Sequence, residues 1–98
     1  MVQVKWLHSA KTDLKEIYLY ISKDSKKYAK FQVLRIQRKI SLLRKNILIG
    51  KILPELNRPD IRELIEGHYR IVYKVIHSNQ VHILLIHHSA RDITRRIP

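Results

Sequence analysis

Arg62, Arg70, His88 and Arg91 are the residues of this chain whose types and spacing could do chemistry. Guanidinium groups can clamp a phosphodiester and offset the charge that builds on a pentavalent phosphorus. An imidazole with a pKa of about 6.5 can move a proton to or from a ribose 2′-hydroxyl or a 5′-oxygen. Together these groups are the minimum set for metal-free RNA cleavage. They also have a purely structural use: Arg62 can pair with a nearby glutamate, and His88 can cap a strand end. Residue types alone leave both readings open.

Other chemistries lack their parts. With two glycines in the whole chain there is no glycine-rich phosphate loop. No HExxH or zinc-spaced cluster occurs among the six histidines, and His87 and His88 are adjacent, so a strand would point them to opposite faces. There is no cysteine, which removes disulfides and thiolate metal sites and fits a reducing compartment. Ser9 and Ser89 have no evident base and orienting acid. The expectation is therefore no metal and no cofactor.

Charge is the most informative bulk property. Twenty Lys and Arg stand against eight Asp and Glu, a net charge of +12, which favours polyanions, anionic membranes or an acidic protein partner. From Ser25 to Pro54 there is no acidic residue, while Lys26, Lys27, Lys30, Arg35, Arg38, Lys39, Arg44, Lys45 and Lys51 are all basic. Solvated helix faces normally mix both signs. Arg35, Arg38 and Lys39, with Lys74 further on, are accordingly candidates for binding an acidic partner or the target.

The elements that must position these groups follow from periodicity. "VQVKWL" (2–7) is short and β-prone, a first strand. Ala10, Leu14, Ile17 and Ile21 recur at helical spacing after Ser9, a candidate N-cap. Ser25 is a candidate cap for a second helix, with Ala29, Val33, Ile36, Ile40, Leu43 and Ile47 as its stripe. Gly50 and Pro54 break that pattern, and residues 50–60 read as an irregular crossing. "IRELIE", "HYRIVYKVI" and "QVHILLIHH" read as three consecutive strands, with turns at Glu66-Gly67 and Ser78-Asn79. In the last strand Val81, Ile83 and Leu85 should share one face and Leu84 and Ile86 the other, which implies a central position. The segment 89–98 is polar and basic, and is expected to fray.

The order β-α-α-β-β-β predicts an α+β fold, an antiparallel helical hairpin on one face of a small, mostly antiparallel sheet. Residues 1–98 should form a single domain. No apolar run approaches the roughly 18–20 residues a membrane span needs, and the first residues lack the layout of a secretion signal, so a cytoplasmic location is expected. In the middle strand Tyr69, Ile71, Tyr73 and Val75 should face the helices. Arg70, Val72 and Lys74 should lie on an open second face, joined there by Arg62, His88 and Arg91. The tyrosines and Trp6 are expected to pack rather than to stack on bases.

"DLKEIYLYI", "GKILPEL", "IRELIEGHYRIVYKV" and "VHILLIHHSARD" resemble the RelE/ParE superfamily of bacterial toxins over about residues 4–92. The resemblance implies the same fold and a toxin of a type II toxin–antitoxin (plasmid stabilisation) system. It also implies an acidic cognate antitoxin, docked by helix-in-groove or strand addition. RelE-type members cut mRNA on the ribosome, and Arg62, Arg70 and Arg91 match their arginine positions. The late tyrosine of many cutters is missing after Arg91, where "DITRRIP" follows, and His88 would stand in for it. ParE-type members poison DNA gyrase without known hydrolytic chemistry, and the wording is closer to that branch. A nontoxic nucleic-acid-binding module is the remaining alternative.

Overall fold

The computed structural model describes residues 1–97; Pro98 lies outside the described residues. The elements are β1 (Gln3–Trp6), α1 (His8–Ser22), α2 (Lys26–Ser41), a 3-10 turn (Leu42–Arg44), β2 (Lys51–Ile52), β3 (Ile61–Glu66), β4 (Tyr69–His77) and β5 (Gln80–His88). The five strands form one sheet in the order β1-β5-β4-β3-β2. Only the β1–β5 pair is parallel. The architecture is the expected α+β arrangement, with a two-residue strand added inside the 50–60 crossing.

Local chemistry accounts for the helix ends. Ser25 caps α2 as its sequence position suggests, its Oγ accepting the Tyr28 N–H at 3.1 Å. Ser9 does not cap α1. The cap position is Leu7, two residues earlier, so the helix begins at His8 with no side-chain cap, and Ser9 Oγ donates instead to Leu84 O at 2.5 Å. The first hairpin turn falls at Gly67-His68 rather than Glu66-Gly67, with Gly67 at φ 58, a backbone region that glycine enters without a Cβ penalty.

The main core lies between the helices and the sheet. Ala10, Ile36, Ile40, Leu43, Ile71, Tyr73, Val81 and Ile83 are buried there, with Tyr69 and Val75 packed against them. The odd-numbered face of β4 thus meets the helices as its alternation requires. In β5 the strict alternation fails. Val72 pairs with Leu85 but Tyr73 pairs with Ile83, so Leu84 is an extra residue on β5. Val81, Ile83 and Ile86 join the helix-side core, while Leu84 and Leu85 both turn to the other side.

That other face is not open. Leu53, Ile61, Val72, Leu85 and Ile93 form a second buried cluster, with Leu56, Leu84 and Ile97 against it. Leu53 and Leu56 come from the crossing, Ile93 and Ile97 from the C-terminal segment expected to fray. The reason is area: the even-numbered face of β4 carries Val72 beside Ile61 and Leu85, an apolar patch that the chain's own segments remove from water. Among the described residues no helix is long and apolar enough to cross a membrane.

Candidate functional site

Arg62 and Arg70 occupy neighbouring strands but opposite faces of the sheet. Glu66 pairs with Tyr69 across the tight turn, so Arg62 pairs with Tyr73, which faces the helices. Arg62 Nε donates to Pro59 O at 3.0 Å and its Nη1 to Gly50 O at 2.9 Å, tying down the two ends of the crossing. It lies on the helix side, not on the shared open face expected from the sequence.

Arg70 lies on the outer face, but both paired edges of its guanidinium are taken by carboxylates. Nε donates to Glu63 Oε1 at 2.6 Å, and Nη1 and Nη2 each donate to a Glu55 oxygen at 2.7 Å. The Glu63 side chain is 1% exposed, with Lys51 Nζ at 3.6 Å from its second oxygen. The Glu55 and Glu63 carboxylates hold the Arg70 proton far above the ordinary guanidinium range. In return, Arg70 holds the Glu55 carboxyl below its usual value. With both of its paired edges on carboxylates, the guanidinium keeps a single Nη1 N–H and no edge for two-point binding of a phosphate.

His88 pairs with Tyr69 and so also lies on the helix side, not on the open face expected from the sequence, but it does meet Arg91. They line a cleft of about 790 Å³ with Tyr20, Tyr69, Glu16 and Asp13 at the end of β5. His88 contacts Tyr69 edge-on at 5.4 Å between ring centroids and stacks on His68 at 5.9 Å. Its Nδ1 accepts the Ala90 N–H at 3.1 Å. A nitrogen that accepts from an amide holds a lone pair, so in the neutral ring the proton sits on Nε2. In that tautomer Nε2 is a donor and not a base. Burial pushes the Tyr69 phenol up, Tyr20 beside it adds to this, and Arg91 opposes them.

The other candidates lie apart from the cleft. Lys74 is half-buried on the outer face opposite Ile61. Arg35 and Arg38 are exposed on α2 and Lys39 is half-buried, and among the described residues none of them forms an ion pair. Large apolar side chains stand exposed between these cations: Tyr28, Phe31, Leu34 and Leu42. Tyr20 and Tyr28, expected to pack, are 67% and 72% exposed. Tyr73 is fully buried, as expected.

Three residues of the cleft wall were not singled out from the sequence. Asp13 is buried in α1, accepts the Ile86 N–H at 2.9 Å and is held by Arg96. His87, also buried, bridges Arg96 and the Arg91 carbonyl. A signal for Asp13 existed: it stands three residues after Ala10 and four before Ile17, inside the apolar stripe of α1, where an acid needs a partner.

With this geometry in hand, comparison with known proteins is direct. The family model described as ParE toxin of type II toxin-antitoxin system, parDE, matches residues 4–93. Among solved structures, a chain of the "Chromosomal ParDE TA system from P. aeruginosa" is similar, with a TM-score of 0.72 and 25% sequence identity. The match covers 90% of this chain and 96% of that one. No curated protein sequence matches significantly. Matched span and shared architecture agree: the chain belongs to the ParE family of type II toxin–antitoxin toxins, within the RelE/ParE superfamily.

Proposed function

We propose that this toxin arrests growth by poisoning DNA gyrase and that an acidic cognate antitoxin neutralises it. The observation that carries the target assignment is the dispersal of the nuclease set. Arg62 and Arg70 lie on opposite faces, and Glu55 and Glu63 occupy both paired edges of the Arg70 guanidinium. A cutter needs its cations converging on one phosphate; a binding toxin needs only a surface. The cleft with His88 and Arg91 is the surface we assign to the target, since it is concave and presents donors without partners.

The antitoxin is assigned to the outer face of α2. Arg35, Arg38 and Lys39 form no ion pair among the described residues, and Phe31, Leu34 and Leu42 are exposed on the same helix or at its C-terminal end. A phosphate backbone would satisfy the cations but not the apolar side chains. An amphipathic acidic segment satisfies both, which supports a protein as the occupant.

The test is purified toxin with gyrase and supercoiled plasmid, run beside translating ribosomes on a defined message. Inhibited supercoiling or trapped cleaved DNA, with intact mRNA, is the expected result. Codon-register mRNA cuts with unaffected gyrase would establish the second reading, a nuclease centred on His88 and Arg91, which their shared cleft favours. In that case His88→Ala should abolish cutting, while the combined change Arg70→Met and Glu63→Leu, which leaves no stranded charge on Glu63, should not.

A further inference from the structure

On the edge away from β4, β5 loses its strand neighbour after Ile83, where its pairing with β1 ends. From there α1 supplies the partners. Ser9 Oγ donates to Leu84 O, and Asp13 Oδ2 accepts the Ile86 N–H. The same Asp13 carboxylate takes Arg96 Nη2 at 2.8 Å on Oδ1 and 2.6 Å on Oδ2. Arg96 belongs to the segment that buries Ile93 on the outer face, so one carboxylate joins a helix, a strand edge and the C-terminal segment. His87 completes the arrangement. Its Nε2 donates to Arg91 O at 3.1 Å, since a carbonyl only accepts, and Nδ1 is left to accept from Arg96 Nη1 at 3.1 Å.

The consequence falls on Arg91. Its carbonyl is pinned by His87 and its N–H donates to His88 O at 3.1 Å. Its side chain has no hydrogen-bond partner among the described residues and lines the cleft beside His88. From this geometry we infer that Asp13 and Arg96 are positioning residues: they latch residues 89–97 onto α1 and so hold Arg91 ready for the toxin's target. The inference rests on the reading that the cleft meets the target. A cation on a loose segment loses its freedom when it binds, whereas a latched one has lost it already and binds more tightly for the same contacts.

The variant that tests it is Arg96→Gln, at a side chain 34% exposed, with amide exchange of the central strands as the check on the fold. Arg96→Lys is its conservative counterpart, and Asp13→Asn is the independent second variant, since the amide oxygen still accepts from Ile86. Amide exchange in the purified toxin should speed up about tenfold at Thr94 and Arg96 in Arg96→Gln, with the Ile71 and Tyr73 amides unchanged. Potency, read as toxin needed to halve supercoiling and as growth arrest on induction, should fall by about tenfold, and Arg96→Lys should restore most of it. Antitoxin affinity should stay within about twofold of wild type, because α2 is untouched.

Wild-type exchange at Thr94 and Arg96 in both Arg96→Gln and Asp13→Asn would overturn the latch. Faster exchange with full potency would overturn the positioning role, as would equal losses of potency and antitoxin affinity. A wild-type toxin inert on gyrase would instead remove the target assignment, while exchange and growth arrest would still decide the latch.

Discussion

Arg70 and Glu63 are diagonal neighbours across β3 and β4, with Nε 2.6 Å from Oε1 and the Glu63 side chain shut off from water. Removing one partner of a buried pair leaves the other charged and uncompensated. Arg70→Ala should therefore destabilise the fold by about 3 kcal/mol or more. The combined change Arg70→Met and Glu63→Leu should recover most of that loss, because it removes both charges and keeps the volume. Chemical denaturation of the three proteins checks this. A loss below about 0.5 kcal/mol for Arg70→Ala, the usual range for a surface residue, would mean that Arg70 is free after all.

Glu55 supplies the acid-dependent part of the same network. Its carboxyl is held below its ordinary value near 4.5, first by the hydrogen bond from Arg70. A depressed folded-state value means the stabilisation is complete above the unfolded value and is lost as pH falls through the folded one. Stability should thus be flat with respect to this group down to about pH 4.5 and decline below it. Glu55→Gln should be less stable at pH 7 and show a shallower decline in acid, measured as the urea midpoint against pH. Parallel pH curves for the two proteins would contradict the role given to Glu55.

The positions of Arg62 and Arg70 show how much was legible in the sequence. The order of the elements apart from β2, the helix stripes as far as Ile40 and the inward face of β4 followed from spacing alone, because burial on one face enforces period; Leu43 and Ile47, expected to continue the second stripe, lie beyond the end of α2. Arg62 and Arg70 are both even-numbered, which invites placing them on one face. A two-residue turn between the strands pairs odd with even positions, so Arg62 had to lie opposite an inward residue of β4. That correction was available in the sequence. The extra residue at Leu84 was not, since a bulge leaves no mark on an all-apolar run. Nor was the cover given by Ile93, because one isoleucine among polar residues has no period to reveal it.

Gly50 occupies a place no side chain can share. A Cβ there would lie 2.6 Å from Glu63 O and 2.7 Å from the Tyr73 ring and hydroxyl. The backbone of β3 and a fully buried tyrosine cannot give way freely, so Gly50→Ala should destabilise the fold by about 1–3 kcal/mol. The tyrosine hydroxyl also accepts the Gly50 N–H at 3.0 Å and donates to Ile47 O at 2.8 Å. Tyr73→Phe leaves the buried amide without a partner and should lose about 1–3 kcal/mol by that separate route. Thermal or urea unfolding of each variant is the measurement. A neutral Gly50→Ala would show that the end of the crossing is not held where Tyr73 places it.

Ile93 decides whether the C-terminal segment is part of the fold. It is 2% exposed and packs with Leu53, Ile61, Val72 and Leu85 on the face that the chain's alternation alone would leave bare. Truncating a buried isoleucine removes its transfer energy and leaves a cavity, so Ile93→Ala should lower stability by about 2–4 kcal/mol. Thr94, next to it and exposed, serves as the control: Thr94→Ala loses only the turn bond to Asp92 and should change stability by about 1 kcal/mol or less. The contrast between neighbours isolates burial from any general effect of altering the segment. If both substitutions prove equally mild, the segment does not seal the sheet, and Val72 and Leu85 must find cover from a partner chain instead.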